Sequence, residues 1–290
     1  MRPSKHQLRP FALLMQRERV SLIDAEHGLV IEAAPLAAPA GKGWAFDQAA
    51  AALPGCQQMY ASAAFPLAEF FGWFLERVYP VRKLGLTLVS NLQQPLSLSL
   101  WQHLFADIGL REPLQLRSPL QCLGSNLIEG LLVYLEDGLA QIGVFEQRRA
   151  QEQSQVGYGF YLSRAIRQHV LAKYGLRIDS ETAAEAWQRL GGERQVTLLG
   201  RDGEGRQRRQ LLIAEELEDA FAAAFAPLLS EIGFQRNFHP ALPLYLLGPQ
   251  AASPWLAKLL AAHLPGPLVL PPDPEGILIQ GIQRELKSQI

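Results

Sequence analysis

Ala165-Ile-Arg-Gln-His-Val-Leu-Ala-Lys-Tyr-Gly-Leu-Arg-Ile178, followed by Glu181-Thr-Ala-Ala, reads as two helices in succession. The first spans 162–174, with Ala165, Ile166, His169, Val170 and Lys173 spaced along it; the second spans 180–190 and is stopped by Gly191 at a C′ position. Downstream, 196–199 and 210–213 pair as a hairpin across 201–209, and 217–232 forms a long amphipathic helix. Strands at 242–246 and 268–270 flank a helix at 254–263, and a helix at 277–286 ends the pattern. Upstream, 130–135 and 140–145 are strands joined at Glu136-Asp137-Gly138, where Asp-Gly is a hairpin signal. The first half repeats this style. Strands at 11–15, 20–23 and 29–31 form a meander, and Pro35, Pro39, Gly41 and Gly43 break the chain after them. A helix over 65–78 carries Leu67, Phe70, Phe71, Phe74, Leu75 and Val78 on its apolar face. A strand at 84–89, a helix at 98–108, a strand at 114–116 and a helix opened by Pro119 follow. The result is two βββαβαβα-like halves, an α/β arrangement.

Composition sets the outer limits. The 290 residues suggest two domains or one large one, and 48% hydrophobic against 19% charged residues excludes wholesale disorder. With 27 basic against 28 acidic residues, the chain lacks the electrostatic footprint of a general nucleic-acid binder. Two cysteines, Cys56 and Cys122, are too few for a disulfide framework or a thiolate zinc site. The apolar stretch at 221–229 is far short of the ~20 residues that span a bilayer, and no secretory hydrophobic region follows the basic residues Arg2, Lys5, His6 and Arg9. A cytoplasmic protein is the simplest reading, with peripheral association at the inner membrane left open.

The run from Ala165 to Gly191 resembles the actin-like MreB cell-shape proteins, in which an Ala-Ile, a Tyr before an Ile, a Thr-Ala-Glu and a helix ending Ile-Gly occur in that order. Val196-Thr-Leu-Leu-Gly-Arg201 and its hairpin fit the next stretch of that family, and Asp273-Pro274 followed by Gly281 its C-terminal region. In the first half, Ile31-Glu32-Ala-Ala-Pro35 and Gly43-Trp-Ala45 stand where the family has Asn-Glu-Pro-Ser and Gly-x-x-Ala. The resemblance implies a two-domain actin-like (ribonuclease H-like) fold with a central cleft. Domain I would take residues 1–131 and 272–290, and domain II residues 132–271, with a hairpin-bearing subdomain near 183–232.

In that family ATP and magnesium bind between two phosphate hairpins. Glycine turns let backbone N–H groups approach the phosphates, and carboxylates hold the metal and orient the attacking water. Position by position, this sequence departs from the pattern. The first hairpin's Asp-Leu-Gly is replaced by a stretch from Leu13 through Met15 to Arg19 that has neither Asp nor Gly. The second hairpin's Asp-Ile-Gly-Gly-Gly-Thr becomes Tyr134-Leu135-Glu136-Asp137-Gly138-Leu139-Ala140, setting two acids where phosphate oxygens would lie. Ser118 replaces the water-orienting Glu before Pro119, and Ala184 and Trp187 replace the Glu and Lys beside the nucleoside. The adenosine-side Thr-Gly-Gly-Gly becomes Leu247-Gly248-Pro249-Gln250, where Pro249 removes a donor. Gly157-Tyr158-Gly159 keeps part of a glycine turn, with Tyr158 intruding. The expectation is a dismantled nucleotide site, with Tyr134, Tyr158 and Trp187 filling the cleft and joining the domains.

Other features read as ordinary structure. Glu136-Asp137 is a hairpin tip rather than a metal pair, and Asp179-Ser180-Glu181 is a helix N-terminus rather than an acid–base site. The six histidines are scattered, so no metal is expected, and no serine sits in a nucleophile-elbow context. Arg201, Arg206, Arg208 and Arg209 form the densest basic cluster: a solvated hairpin, or a docking surface for an acidic partner or membrane headgroups. Trp73, off its helix's main stripe, is a second docking candidate.

The functional expectation is therefore a non-catalytic actin-like scaffold or assembly subunit. It would bind a protein partner or itself, including within a membrane-associated complex, with no cofactor, nucleic acid or small-molecule substrate. Two alternatives stand beside it: an active ATP- and magnesium-binding filament protein in which Glu136 or Asp137 holds the metal, and a pilus-assembly-type adaptor that binds a peptide of a membrane protein.

Overall fold

The structure is a computed structural model and describes residues 9–16, 19–59, 62, 64–78, 84–90, 98–110, 114–124, 129–136, 138–146, 149–159, 162–190, 193–252 and 254–288. The chain divides into two compact units, residues 1–128 with 276–290, and residues 129–275.

The first unit opens with the antiparallel meander β1 (Arg9–Met15), β2 (Val20–Asp24) and β3 (Gly28–Ala33). A small sheet of β4 (Leu36–Ala40), β5 (Gly43–Phe46) and β6 (Gln57–Gln58) follows, with the short helix α1 (Gln48–Ala51) inserted. The proline- and glycine-rich break expected at 35–43 is therefore a hairpin. It turns at Gly41 (φ +61°), and Pro39 pairs with Trp44 beyond the reach of β6, which bonds only Leu36 and Ala37. Helix α2 (Leu67–Glu76), strand β7 (Leu84–Ser90), helix α3 (Leu98–Asp107), strand β8 (Gln115–Arg117) and helix α4 (Pro119–Gly124) complete this stretch. Among the described residues the main sheet has the order β3-β2-β1-β7-β8, with β1, β7 and β8 parallel. Phe70, Phe71 and Phe74 of α2 and Trp101 and Phe105 of α3 pack ring against ring in its core. Cys122 is buried in α4, and that burial pushes its thiol up to about 12, far from a reactive thiolate.

The second unit repeats the plan. Strands β9 (Gly130–Glu136), β10 (Leu139–Glu146) and β11 (Arg149–Gly157) form an antiparallel meander, then come helices α5 (Leu162–Tyr174) and α6 (Ser180–Leu190). The hairpin β12 (Gln195–Arg201) and β13 (Gln207–Ile213) leads through a 3-10 turn, Ala214–Leu217, into α7 (Glu218–Phe238). Strand β14 (Leu244–Leu247), the 3-10 turn Pro249–Ala252, helix α8 (Pro254–His263) and strand β15 (Leu268–Val269) follow, and α9 (Pro274–Lys287) returns the chain to the first unit. The described sheet order is β11-β10-β9-β14-β15, with β9, β14 and β15 parallel, the same local order as in the first unit. Every residue of β9 is buried, as suits a near-continuous apolar run with a strand on each side. A domain boundary after residue 131 would cut this strand, and the observed division falls before it, at 128/129.

Two sequence readings change here. The sequence does not predict strand β11: Arg-Ala-Gln-Glu-Gln-Ser-Gln-Val-Gly has no apolar alternation, and among the described residues it is an edge strand that pairs with β10 alone. Helix α7 runs to Phe238, six residues past the apolar series Leu217, Phe221, Phe225, Leu228 and Ile232 that marks its core face.

One polar cluster ties α5 to the start of α7. Glu216 accepts from Lys173 Nζ at 3.0 Å, His169 Nε2 at 3.5 Å and the Tyr174 hydroxyl. Burial works to raise the Glu216 carboxyl, but these three donors and the Lys173 charge outweigh it and hold it below the ordinary carboxylate value. A depressed folded-state value means that the stabilisation is complete above the ordinary value of 4.5 and is lost as pH falls through the lowered one. In urea unfolding at pH ~3 to ~7, wild type should exceed Glu216→Gln most at neutral pH, and the gap should close toward pH ~3. A pH-independent gap overturns this.

Candidate functional site

Leu13 and Met15 lie in β1 as fully buried core side chains, opposite Leu22 and Val20. Beyond them the ladder closes at Gln16 and Arg19, whose N–H groups donate to each other's carbonyls at 2.9 and 3.4 Å, leaving a two-residue connection that lies outside the described residues. The side chains seal the same turn. Arg19 Nε and Nη2 donate to Gln16 Oε1 at 3.1 and 2.9 Å, and Nη1 meets Glu32 Oε1 at 3.3 Å. Ser21 donates to the same carboxylate at 3.0 Å.

The second hairpin is built alike. Its ladder runs to the pair Glu136–Leu139, and Gly138 takes the left-handed conformation (φ +77°) that a tight two-residue turn needs. Asp137 lies outside the described residues; Glu136 is buried. Tyr158, expected to intrude on a glycine turn, covers this hairpin: its N–H donates to Gly138 O at 3.0 Å and its hydroxyl to Glu136 O at 2.6 Å. Gly157, the last residue of β11, pairs with Leu139, and Gly159 (φ +64°) donates its N–H to Ala224 O of α7 at 3.0 Å. Two hydrogen bonds from one buried residue are worth roughly 1–3 kcal/mol to the turn they hold.

The ring of Tyr158 packs on Phe225 at 5.3 Å, and Trp187 of α6 packs on Phe221 at 5.0 Å and Phe225 at 5.8 Å. Tyr158 lies in the second unit's own core, and Trp187 packs against that core. Tyr134 is fully buried on the opposite face of β9 from Leu131, Val133 and Leu135, beside Gly248 at the end of β14. Pro249 then opens the 3-10 turn, with Ala251 N–H bonded to Gly248 O at 3.1 Å. Ala184 is half-buried on α6, whose first turn is capped by Asp179 Oδ1 accepting from Thr182 N–H at 2.7 Å. Ser118 is used up in a reciprocal capping box: Gln121 N–H donates to Ser118 Oγ at 3.2 Å, and Ser118 N–H to Gln121 Oε1 at 2.8 Å. The second unit thus brings Glu136, Gly138, Gly157 and Tyr158 together, while Ser118, Leu13 and Met15 are side chains of the first.

The arginines of the β12–β13 hairpin divide into two kinds. Arg206 and Arg208 are held by Asp202 at 3.6 and 3.1 Å, and Arg206 also by Glu204. Arg201 and Arg209 are exposed, with no side-chain hydrogen bond or ion pair among the described residues. Trp73 is half-buried between Phe46 and Phe70, with the Arg77 guanidinium 4.8 Å over its ring. One cluster has no motif in the sequence: Asp24, Glu26 and His27 bring three ligand-type groups together. Asp24 is already committed to its turn, accepting from the N–H of Glu26 and His27 at 2.7 and 3.0 Å and pairing with Arg9 at 3.0 Å. Burial works to raise its carboxyl, but these hydrogen bonds, the His27 ring and the Arg9 charge hold it below its usual value.

No protein-family model matches the chain, and no curated protein does. Solved structures match nearly all of it. MreB5 of Spiroplasma citri bound to ADP superposes with a TM-score of 0.78 at 14% identity over 98% of each chain. The same protein bound to AMPPNP gives 0.75 at 14% identity over 99% of this chain and 100% of that one. A MamK double helical filament gives 0.71 at 11% identity over 96% of this chain and 99% of that one. The fold is the α/β, two-domain fold of actin-like proteins.

Proposed function

We propose that this chain is an actin-like scaffold or assembly subunit that works through protein–protein contacts and neither holds nor turns over a nucleotide. The observation that carries this reading is Tyr158, whose hydroxyl and N–H are spent on the carbonyls of Glu136 and Gly138 at the turn that the family resemblance aligns with a phosphate hairpin. An anion site in such a turn needs successive N–H groups free to point outward. Here Tyr158 fastens the turn through two of its carbonyls and fixes its backbone, and the buried Glu136 sets a carboxyl group beside it, which opposes an anion. The residues present do not fit a magnesium-bound triphosphate.

Assembly of such a subunit would follow its partner or its concentration rather than a hydrolysis clock. The MamK filament, which shares the fold, supports self-association as one form of that contact. Among the described residues no helix is long and apolar enough to cross a membrane, so any membrane attachment of those residues would be peripheral.

A second reading, a nucleotide-binding actin-like protein, draws on MreB5, which shares the fold and is bound to ADP in one structure and AMPPNP in another. Calorimetric titration of the full chain with magnesium-ATP and magnesium-ADP separates the two. We expect no saturable heat up to ~1 mM ligand and, by electron microscopy, the same assembly state with and without ATP. Micromolar binding or ATP-dependent filament growth overturns the proposal.

A further inference from the structure

We propose that the outward face of the β12–β13 ribbon docks an acidic, aliphatic segment of a partner protein, with Arg201 and Arg209 receiving its carboxylates and Leu199, Leu211 and Ile213 its apolar side chains. The inference rests on the contact-driven reading above and names the surface and the partner's chemistry.

Register places these residues together. Arg201 pairs with Gln207, Leu199 with Arg209, Thr197 with Leu211 and Gln195 with Ile213, and residues directly opposite in an antiparallel ladder share a face. That face is exposed along its length on β12, while the alternate residues Val196, Leu198 and Leu212 are buried in the second unit's core. Folding thus uses one face of the ribbon. The other keeps Leu199, Leu211 and Ile213 at 48%, 42% and 38% exposure, a continuous apolar strip where polar side chains would serve a solvated ribbon equally well.

Charge selects the occupant. The hairpin supplies acids for its other arginines, Asp202 for Arg206 and Arg208 and Glu204 for Arg206, and none for Arg201 or Arg209. Two guanidinium groups that are unpaired among the described residues, beside an aliphatic strip, suit carboxylates placed beside aliphatic side chains, which bidentate pairing orients. A second copy docking the same face would set the arginines against each other. An anionic membrane would meet Glu204, 71% exposed at the ribbon's tip. A segment laid along the strip, with its carboxylates at Arg201 and Arg209, brings no arginine to the face and, unlike a flat membrane, need not extend over the Glu204 tip.

The test pans a displayed library of random 16-residue peptides against the full chain and measures the selected peptides by fluorescence anisotropy. Selection of sequences with paired carboxylates and aliphatic residues is expected. Binding should fall at least tenfold in Arg201→Glu/Arg209→Glu and in Leu211→Ser/Ile213→Ser, exposed changes whose folding is checked by circular dichroism. It should change less than twofold in Arg206→Gln/Arg208→Gln. Acidic peptides that bind these variants equally well overturn the assignment of the face and leave the contact-driven reading standing. Failure to enrich acidic peptides, co-sedimentation with phosphatidylglycerol vesicles that the same variants abolish, or self-association of the chain that they abolish each overturns the proposed occupant.

Discussion

Arg236→Ala is expected to destabilise the second unit by about 3–5 kcal/mol, the loss of three hydrogen bonds from one buried cation. Arg236 sits in the last turn of α7, only 3% exposed. Its guanidinium donates to Pro265 O at 2.8 Å through Nε, to Leu242 O through Nη1 and to Pro267 O at 3.4 Å through Nη2. Burial alone pulls its pKa below the ordinary arginine value, yet a guanidinium stays charged in proteins and needs acceptors. The acceptors lie in the segments that enter β14 and β15, so one side chain fastens the end of a helix to the starts of two neighbouring strands. Gly266 (φ +96°) lies where any side chain would collide with the guanidinium. Truncation takes the Arg236 donor from all three carbonyls; Pro267 O keeps the Leu244 N–H at 2.9 Å, and each carbonyl left without a donor costs ~1–3 kcal/mol. In urea and thermal unfolding of the full chain the midpoint should fall by ~10 °C or more. Arg236→Lys should recover only part of this, because a point charge does not span three carbonyls. A shift under ~1 kcal/mol for Arg236→Ala would show the fastening to be dispensable.

Nothing in the sequence announces Arg236. In an amphipathic helix an arginine past the apolar series that ends at Ile232 reads as solvated, and its acceptors lie 6, 29 and 31 residues away. The same limit applies to Tyr158, whose residue type stood out while its partner, Glu136 O, lies 22 residues upstream. Legible features were those written in local period: the buried run of β9, the phenylalanine stripe of α2 and the Asp-Gly turn. Strand β11 was illegible because an edge strand needs a neighbour's backbone more than its own apolar side chains. The four arginines of the hairpin look alike as residues, and only the folded hairpin separates Arg206 and Arg208, held by Asp202, from Arg201 and Arg209, which have no side-chain partner among the described residues.

Register also separates two kinds of glycine. A glycine kept for a ligand serves N–H groups that face outward, whereas one kept for packing serves a neighbour that comes too close for a Cβ. The resemblance aligns Gly248 with the adenosine side of a nucleotide site, so its retention could be taken as a relic of binding. Its surroundings give it a different reason.

Gly248→Ala is expected to cost about 2–5 kcal/mol in nucleotide-free buffer, by two additive routes. At φ +90° an L-residue pays ~1–2 kcal/mol of backbone strain. A Cβ there would stand 2.5 Å from Leu135 O, 3.0 Å from Leu135 N and 2.9 Å from Tyr134 Cε2, so β14 would have to draw away from β9 at the centre of the sheet. Such overpacking adds ~1–3 kcal/mol. Pro249→Ala, which frees a turn residue, should move the midpoint by less than ~1 kcal/mol. The double variant Gly248→Ala/Tyr134→Ala tests the geometry further. Removing the ring relieves one of the three overlaps, while the Leu135 backbone stays in place, so the two losses should fall short of additive without cancelling. If Gly248→Ala unfolds at the wild-type urea midpoint, the close approach of β14 to β9 is not what keeps the glycine, and a ligand regains its claim on that turn.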